Sequence, residues 1–205
     1  MTMISAELSK REIIMNASIK VFAAKGYHSC RTLDISKEAG VAYGSLYQYF
    51  KSKDDILSSI YRDNWNFLLQ RMDLLNQTEK SPAIRIIKIF DFIFRNYEQN
   101  PDLIKVMIME VPKLNQFYGK EHQELYFRFF SGLAEIIAEG QKKDLLSKDI
   151  SPIIAAFVIY GAADNTIRQY VYNTDFESMH FPLEEAKNQI INYFIPGYLI
   201  KKTGK

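Results

Sequence analysis

The sequence has little of the chemistry that disulfides and metal sites need. Cys30 is the only cysteine among 205 residues, so neither an internal disulfide nor a multi-cysteine zinc site can form. The three histidines, His28, His122 and His180, are scattered and show no metal-ligand spacing. We therefore expect no metal site and no cofactor. A single thiol is also typical of a reducing compartment, and it favours the cytoplasm.

Long apolar runs and alternating segments are lacking as well. No stretch approaches the roughly 18 uninterrupted apolar residues of a membrane helix, and the opening MTMISAELSKREII contains no signal-peptide core. No segment alternates long enough to predict a sheet. A nucleophile beside a base and a phosphate-binding loop are also missing, which argues against an enzyme. We predict an all-α cytoplasmic protein that does not partner a membrane.

The helical signals predict about nine helices. Ser9 is placed to cap a first helix that Gly26 ends, and Thr32 is placed to cap a second that ends at Gly40. In NP (100–101) and SP (151–152), a capping residue precedes a proline, which favours a helix start. The IPG segment (195–197) should end the last helix. The remaining helices are predicted at 43–50, 53–75, 83–99, 102–111, 120–143, 152–172 and 183–195.

The short segment GVAYGSLYQYF (40–50) combines rings and a glycine in an unusual way. At about 100° per residue, Leu46 and Phe50 share one side of a helix, and Gly44, Ser45 and Gln48 fill the other. Glycine inside a helix costs about 1 kcal/mol relative to alanine, so the bare side suggests that another molecule approaches it. Only GVA separates this helix from the preceding one, which indicates a helix-turn-helix.

This arrangement predicts contacts to duplex DNA. Ser45 and Gln48 are candidates for reading base edges, and Ala42 or the ring of Tyr43 for touching a thymine methyl. The hydroxyls of Tyr43, Tyr47 and Tyr49, with the ammonium of Lys53, can reach phosphates beside the groove. The alternative is that the tyrosines only pack an amphipathic helix. The charge distribution favours DNA. Residues 1–53 carry eight Lys or Arg and four Asp or Glu, so this segment is clearly basic, whereas the whole chain has a net charge of only +2.

The run FAAKGYHSCRTLDISKEAGVAYGSLYQYFKSKDDIL (22–57) resembles the DNA-binding domain of TetR-family transcriptional regulators. Ser36 and Ile56 depart mildly from that pattern, where alanine and leucine are usual. The resemblance implies that Thr32 caps the second helix and contacts phosphate, and that Lys53 holds phosphate. The DNA-binding residues it implies are Thr32, Ala42, Tyr43, Gly44, Ser45, Tyr47, Gln48, Tyr49 and Lys53. We place the DNA-binding domain at 1–53 and a helical regulatory and dimerisation domain at 54–205.

The body is rich in Phe, Tyr, Met and Ile, which usually form a core but also line adaptable apolar pockets. In TetR-like proteins the body holds an inducer and its last two helices dimerise. The segment VIYGAADNTIRQYVYN (158–173) is similar to the penultimate helix of the fatty-acid or acyl-CoA subgroup, although Lys143 replaces a common glycine just before it. The candidate ligand-binding residues are Met107, Tyr126, Phe130, Tyr160, Asp164 and Arg168.

The sequence thus predicts a homodimeric repressor that binds a pseudo-palindromic operator in double-stranded DNA. A hydrophobic small-molecule effector, such as a fatty acid or acyl-CoA, would release it. Two alternatives stay open from the sequence. One is an efflux regulator that responds to aromatic or cationic drugs. The other is a helical enzyme or protein adaptor whose helix-turn-helix is only structural.

Overall fold

A computed structural model describes residues 8–114, 119–173, 175–176 and 180–195. Within these ranges the regular structure is entirely helical, as predicted, with nine α-helices and one 3-10 turn, Val111–Lys113. The α-helices are α1 (Lys10–Lys25), α2 (Thr32–Glu38), α3 (Tyr43–Leu46), α4 (Lys53–Thr78), α5 (Pro82–Gln99), α6 (Pro101–Met109), α7 (Lys120–Lys142), α8 (Pro152–Tyr172) and α9 (Leu183–Phe194).

Local sequence signals explain several of the helix ends. Ser9 caps α1, because its side chain accepts from the backbone of Glu12 while the Glu12 carboxylate accepts from the backbone of Ser9. Pro101 and Pro152 begin α6 and α8, which confirms the two predicted starts. Ile195 follows α9 as its C-terminal cap. The rest of the predicted IPG stop lies outside the described residues.

Two helices differ from the sequence expectation. The predicted cap of α2 at Thr32 is wrong, because Arg31 is the extended residue before the helix and Thr32 is its first helical residue. The Asp34 carboxylate accepts from the Arg31 backbone N–H at 2.8 Å. Asp34, and not Thr32, therefore provides the side-chain hydrogen bond at the start of α2. The third helix is also shorter than predicted. It ends at Leu46, and turns carry the chain from Tyr47 to Tyr49.

The described residues divide into two compact units. The first contains the residues up to Asp63 and the segment that begins at Asp102. Its core joins α1, α2 and α3 to the start of α4 and to the segment after α5, through the buried side chains of Ile14, Phe22, Ile35, Leu46, Phe50, Ile56, Leu57, Val106 and Val111. Cys30 is also buried there, 3% exposed. Leu46 and Phe50 are therefore core residues, as the helical spacing predicts.

The second unit contains Asn64–Pro101 and the residues from Gly119 onward. In it α7 packs on α5 and α8, and α9 packs on α5 and α8. Its largest fully buried side chains are aromatic: Phe90, Phe94, Phe129 and Phe130. The predicted boundary at residue 53 falls at the first residue of α4, a helix that passes from one unit into the other. That boundary remains a prediction.

Candidate nucleic-acid interface and regulatory unit

The turn between α2 and α3 presents a short exposed surface. Gly40 has a φ of +64°, which favours glycine, and it turns the chain after α2. Burial of Leu46 and Phe50 then fixes which side of α3 faces outward. Ala42, Tyr43 and Gly44 are exposed on that side. Ser45 is half-buried there, and Tyr47, Gln48 and Tyr49 follow it as exposed residues.

Three hydroxyl groups converge on this surface and form what we call the hydroxyl cluster: Thr32, Tyr43 and Tyr47. The Thr32 hydroxyl donates to the hydroxyl of Tyr43 at 3.3 Å and lies 3.2 Å from the hydroxyl of Tyr47. The bond from Thr32, and then the bond to Tyr47, lower the pKa of Tyr43. A rotating hydroxyl can redirect its hydrogen to an outside acceptor. The cluster is therefore suited to binding one phosphate oxygen.

Gly44 has no packing reason to be a glycine. A Cβ atom added at this position would meet no heavy atom within 4 Å, and the φ angle of Gly44 is not in the left-handed region. Alanine there would be better for the helix by about 1 kcal/mol. The open space above the backbone is consistent with close approach by another molecule, as the sequence predicts. Ser45 and Gln48 flank this space as candidates for base contacts.

Lys53 has bonds within the protein that the sequence did not reveal. Its ammonium group donates to the backbone oxygens of Tyr27 at 2.6 Å and Cys30 at 3.0 Å, and it lies 4.4 Å from the centre of the Tyr27 ring. An ammonium has three hydrogens, so one remains for a phosphate. The phosphate role of Lys53 stays a prediction, and holding the chain before α2 is a second role.

In the second unit, three of the predicted ligand residues lie together in an aromatic cluster of Trp65, Tyr126, Phe129, Phe130, Phe157 and Tyr160. The ring centres of Tyr126 and Phe130 are 4.5 Å apart, and those of Phe130 and Tyr160 are 5.1 Å apart. Phe130 also stacks on Phe157 at 4.1 Å and 10°. The cluster is closely packed, and rings at such distances stabilise one another.

Asp164 and Arg168 form an ion pair on α8, one turn apart. Arg168 Nε donates to Asp164 Oδ2 at 2.6 Å, and about a third of each side chain is exposed. Burial alone would lower the pKa of Arg168, but its bonds to Asp164 and Tyr172 outweigh that effect and raise the pKa. Burial, and then the charge of Asp164, raise the pKa of Tyr126. The ion pair is therefore electrostatically coupled to the aromatic cluster.

Met107, the sixth candidate ligand residue, belongs to neither the aromatic cluster nor the ion pair. It lies half-buried on α6 in the first unit, whereas the other five candidates lie in the second.

Sequence reasoning also missed a cavity of about 640 Å³ in the second unit. This aliphatic cavity is lined chiefly by α5, α7, α8, α9 and the loop at 144–150, with Ile86, Ile137, Leu146, Ala155, Ile159 and Phe194 among its walls.

The cavity and the ion pair lie on different sides of α8. Arg168 comes nine positions after Ile159, which is about two and a half turns at 3.6 residues per turn. The extra half turn places these two side chains on opposite faces of α8. Only the spacing of small and aliphatic residues, Ala155 and Ile159 at i and i+4, could have indicated the cavity from sequence.

Among the described residues, no group of His, Cys, Asp and Glu could hold a metal ion, and no helix there is long and apolar enough to cross a membrane.

Two family models match the chain. The bacterial regulatory proteins, tetR family, match residues 14–60, which contain α2, α3 and most of α1. The tetracyclin repressor-like C-terminal domain matches residues 82–181, which contain α5 to α8. The two matches together take in well over half of the chain. The first contains the candidate nucleic-acid interface, and the second contains the cavity walls on α5, α7 and α8 and all of the aromatic cluster except Trp65.

Individual proteins align over most of their length. The fatty acid metabolism regulator protein of Bacillus subtilis (strain 168) is 24% identical over 184 residues, 90% of this chain and 93% of its own length. The HTH-type transcriptional repressor KstR2 of Mycolicibacterium smegmatis is 25% identical over 151 residues, 71% of this chain and 74% of its own.

A solved structure has the same fold over most of the chain. The transcriptional regulator FadR from Bacillus subtilis, in complex with stearoyl-CoA, superposes with a TM-score of 0.78 at 24% identity, over 91% of this chain and 98% of that one. These proteins and both matched families are transcriptional regulators. The chain belongs to the TetR family and is a DNA-binding transcriptional regulator rather than an enzyme.

Proposed function

We propose that this protein is a homodimeric repressor that a long-chain acyl-CoA or fatty acid releases from a pseudo-palindromic operator. The observation that carries the choice of effector is the aliphatic cavity of about 640 Å³, which falls within the usual size range of ligand pockets. Two similar proteins support it, one named for fatty acid metabolism and one solved with stearoyl-CoA. A regulator of chromosomal genes acts in the cytoplasm.

The DNA contacts follow from the exposed surface of α3 and the turns after it. The hydroxyl cluster of Thr32, Tyr43 and Tyr47 binds a backbone phosphate, which fixes the position of α3 in the major groove. The absence of a side chain at Gly44 lets the backbone approach the base edges. Ala42, Ser45, Gln48 and Tyr49 are then left to contact bases and flanking phosphates.

Dimerisation uses the outer face of α8 and α9. Four large apolar side chains of α8, together with Tyr193 of α9, are exposed, and scattered singly they would need no explanation. Here they fall on neighbouring turns of one helix, which is the pattern of a covered surface. A two-fold interface presents the same face from both protomers. The four residues on α8 are Ile153, Ile154, Phe157 and Val158.

The effector acts by shifting a population. A dimer has conformations in which its two α3 helices match consecutive major grooves, and others in which they do not. An effector that binds the second kind more tightly lowers operator affinity by the ratio of its two affinities. An acyl chain gains about 0.8 kcal/mol for each CH₂ removed from water, so effector affinity should rise with chain length until the cavity is full.

A chain-length series tests this function. Acyl-CoA molecules of eight to eighteen carbons would be titrated against the protein bound to an operator duplex obtained by selection from random sequences. We expect release to strengthen with chain length and then level off. Equal release at every length, or none, would overturn the acyl hypothesis and would leave aromatic and cationic drugs to be tested.

Variants in the second unit identify the site. Ala155→Phe places a ring in the aliphatic cavity and should weaken release by the longest chains most, with operator affinity unchanged. Arg168→Gln tests whether this arginine binds the acidic headgroup, and the exposed Arg95→Gln serves as its matched control. If Arg168→Gln alone weakens release, the ligand lies along the aromatic cluster. This is the site that the sequence predicts with Tyr126, Phe130, Tyr160, Asp164 and Arg168. If Ala155→Phe alone does so, it lies in the cavity.

A further inference from the structure

Glu110 is a buried carboxylate that binds a backbone group far away in the sequence. It follows α6, it is 6% exposed, and its Oε2 atom accepts from the backbone N–H of Tyr27 at 2.8 Å. The ammonium group of Lys113 lies 2.8 Å from the same oxygen. A buried carboxylate is costly unless it is paired and hydrogen-bonded. Glu110 meets both conditions through Tyr27 and Lys113.

The carboxylate holds the turn that leaves α1. Gly26 ends that helix with a φ of +77°, and its N–H bonds to the Phe22 oxygen of the last turn. The next N–H, that of Tyr27, bonds to Glu110 instead of to the helix. A Cβ atom at Gly26 would lie 3.9 Å and 4.0 Å from the two carboxylate oxygens. Glycine is therefore needed for the backbone angle and not for space.

The same turn leads directly to the hydroxyl cluster. The Cys30 N–H donates to the Gly26 oxygen at 3.2 Å, and Lys53 bonds to the oxygens of both Tyr27 and Cys30. Two residues after Cys30 comes Thr32, whose hydroxyl is a member of the cluster. A continuous series of bonds thus runs from Glu110 through the turn to Cys30, two residues before α2.

We propose that Glu110 is a positioning residue for operator recognition, and that displacement of the α6 segment weakens operator binding by releasing the turn at Gly26 and Tyr27. The inference rests on the proposed function for its link to an effector. That link is covalent, since α6 begins at Pro101, two residues after the end of α5 in the second unit. Glu110 itself contacts no DNA in this proposal.

The experiment compares two substitutions of the same residue without any effector. Glu110→Ala removes the acceptor, whereas Glu110→Gln keeps an amide oxygen that can still accept from Tyr27. Operator affinity would be measured by fluorescence anisotropy, and backbone amide exchange at residues 27–32 by NMR. Ile14→Val, a buried substitution on α1 in the same unit, controls for a general loss of stability.

We expect Glu110→Ala to weaken operator binding roughly tenfold, since a bond to a charged acceptor is lost. Amide exchange at Tyr27 should accelerate in that variant. Glu110→Gln should bind within about threefold of the unsubstituted protein, and Ile14→Val should bind as the unsubstituted protein does. Unchanged affinity in Glu110→Ala, or an equal loss in Ile14→Val at a matched melting temperature, would overturn the positioning role.

An effector arm separates this inference from the proposed function. Oleoyl-CoA would be added to the unsubstituted protein and to Glu110→Ala, and the ratio of operator affinities with and without it would be compared. We expect a smaller ratio in Glu110→Ala, because its turn is already released. If oleoyl-CoA does not release the unsubstituted protein, the effector assignment fails. The affinity and exchange measurements still decide the role of Glu110, since they contain no effector.

Discussion

The hydroxyl oxygens of Tyr43 and Tyr47 lie 2.9 Å apart on an exposed surface, and the hydroxyl of Thr32 lies within 3.3 Å of both. Three hydroxyls that meet at the surface satisfy one another in the free protein. On DNA they can turn their hydrogens toward one phosphate oxygen. The rings of Tyr43 and Tyr47 also meet edge to face at 5.4 Å, so the hydroxyls are held in place before DNA arrives.

The first prediction concerns these hydroxyls. Tyr43→Phe and Tyr47→Phe should each weaken operator binding about threefold to tenfold, the effect of losing one ordinary hydrogen bond. The dependence of affinity on salt should stay the same, because no charge is removed. Anisotropy titrations at several salt concentrations measure both quantities. Tyr172→Phe, which removes the hydroxyl of an exposed tyrosine at the C-terminal end of α8, is the control. Full affinity in both cluster variants would show that phosphate is bound elsewhere.

The second prediction concerns the glycine of α3. Gly44→Ala should raise the free energy of unfolding by up to about 1 kcal/mol, since the methyl group meets no neighbour. It should nevertheless weaken operator binding, because the backbone can no longer approach the bases. Asn16→Ala, an exposed helix position on α1, should be neutral or stabilising and leave affinity unchanged. Denaturant unfolding measures the stability of both variants, and fluorescence anisotropy measures their operator affinity. Tighter operator binding by Gly44→Ala would contradict close approach at this point.

The third prediction separates the two roles of Lys53. Lys53→Met should lower the free energy of unfolding by about 1 to 3 kcal/mol, since the backbone oxygens of Tyr27 and Cys30 lose their donor. If Lys53 also binds phosphate, the slope of log affinity against log salt should fall by about one unit. Lys105→Met, exposed on α6, is the control. A lower stability with an unchanged slope would limit Lys53 to holding the turn.

The fourth prediction concerns acid stability. The bond from Lys25 at 2.9 Å, and then the bond from the Arg31 backbone, lower the pKa of Asp34. A carboxylate with a lowered pKa in the folded state stabilises above its unfolded pKa, and this contribution is lost as the pH falls through the folded value. Unfolding between about pH 5 and about pH 2 should therefore depend less on pH in Asp34→Asn. An equally steep dependence would contradict this.

The fifth prediction concerns assembly. Ile154→Glu places a charge on the exposed apolar face of α8 and should produce monomers at micromolar concentration, which light scattering would detect. Operator affinity should fall with it, because a monomer engages only one half-site. Ser131→Glu, which places the same charge on an exposed position of α7, is the control. A dimer that survives Ile154→Glu would place the two-fold interface elsewhere.

The fold follows from the sequence wherever local chemistry decides it. Ser9, Pro101 and Pro152 set helix starts through their own backbone and side-chain groups, and the spacing of Leu46 and Phe50 places both in the core. Thr32 shows the limit of such reasoning. Its hydroxyl is a good capping group, but the Asp34 carboxylate two residues later bonds to the helix start, and the hydroxyls of Tyr43 and Tyr47 bond to the Thr32 hydroxyl. Only the folded chain shows which of them succeeds.

The candidate site divides in the same way. The exposed residues of α3 could be assigned by rotation around a helix, because the core side was evident. The partners of Lys53 and Glu110 could not, since their acceptors and donors are backbone groups 23 to 83 residues away in the chain. The aliphatic cavity is likewise made by the packing of separate helices and a loop. Met107 was grouped with the ligand residues by composition, which does not encode the unit to which a residue belongs.

The burial of Cys30 makes the protein convenient for site-directed labelling. This thiol is the only one in the sequence, and burial raises its pKa, so thiol-reactive probes should attack it slowly at neutral pH. A second cysteine on an exposed position beside α3, such as Lys51→Cys, would then react selectively. A pair of spin labels in the dimer would report the distance between the two DNA-reading heads, and its change when the effector binds could be followed directly.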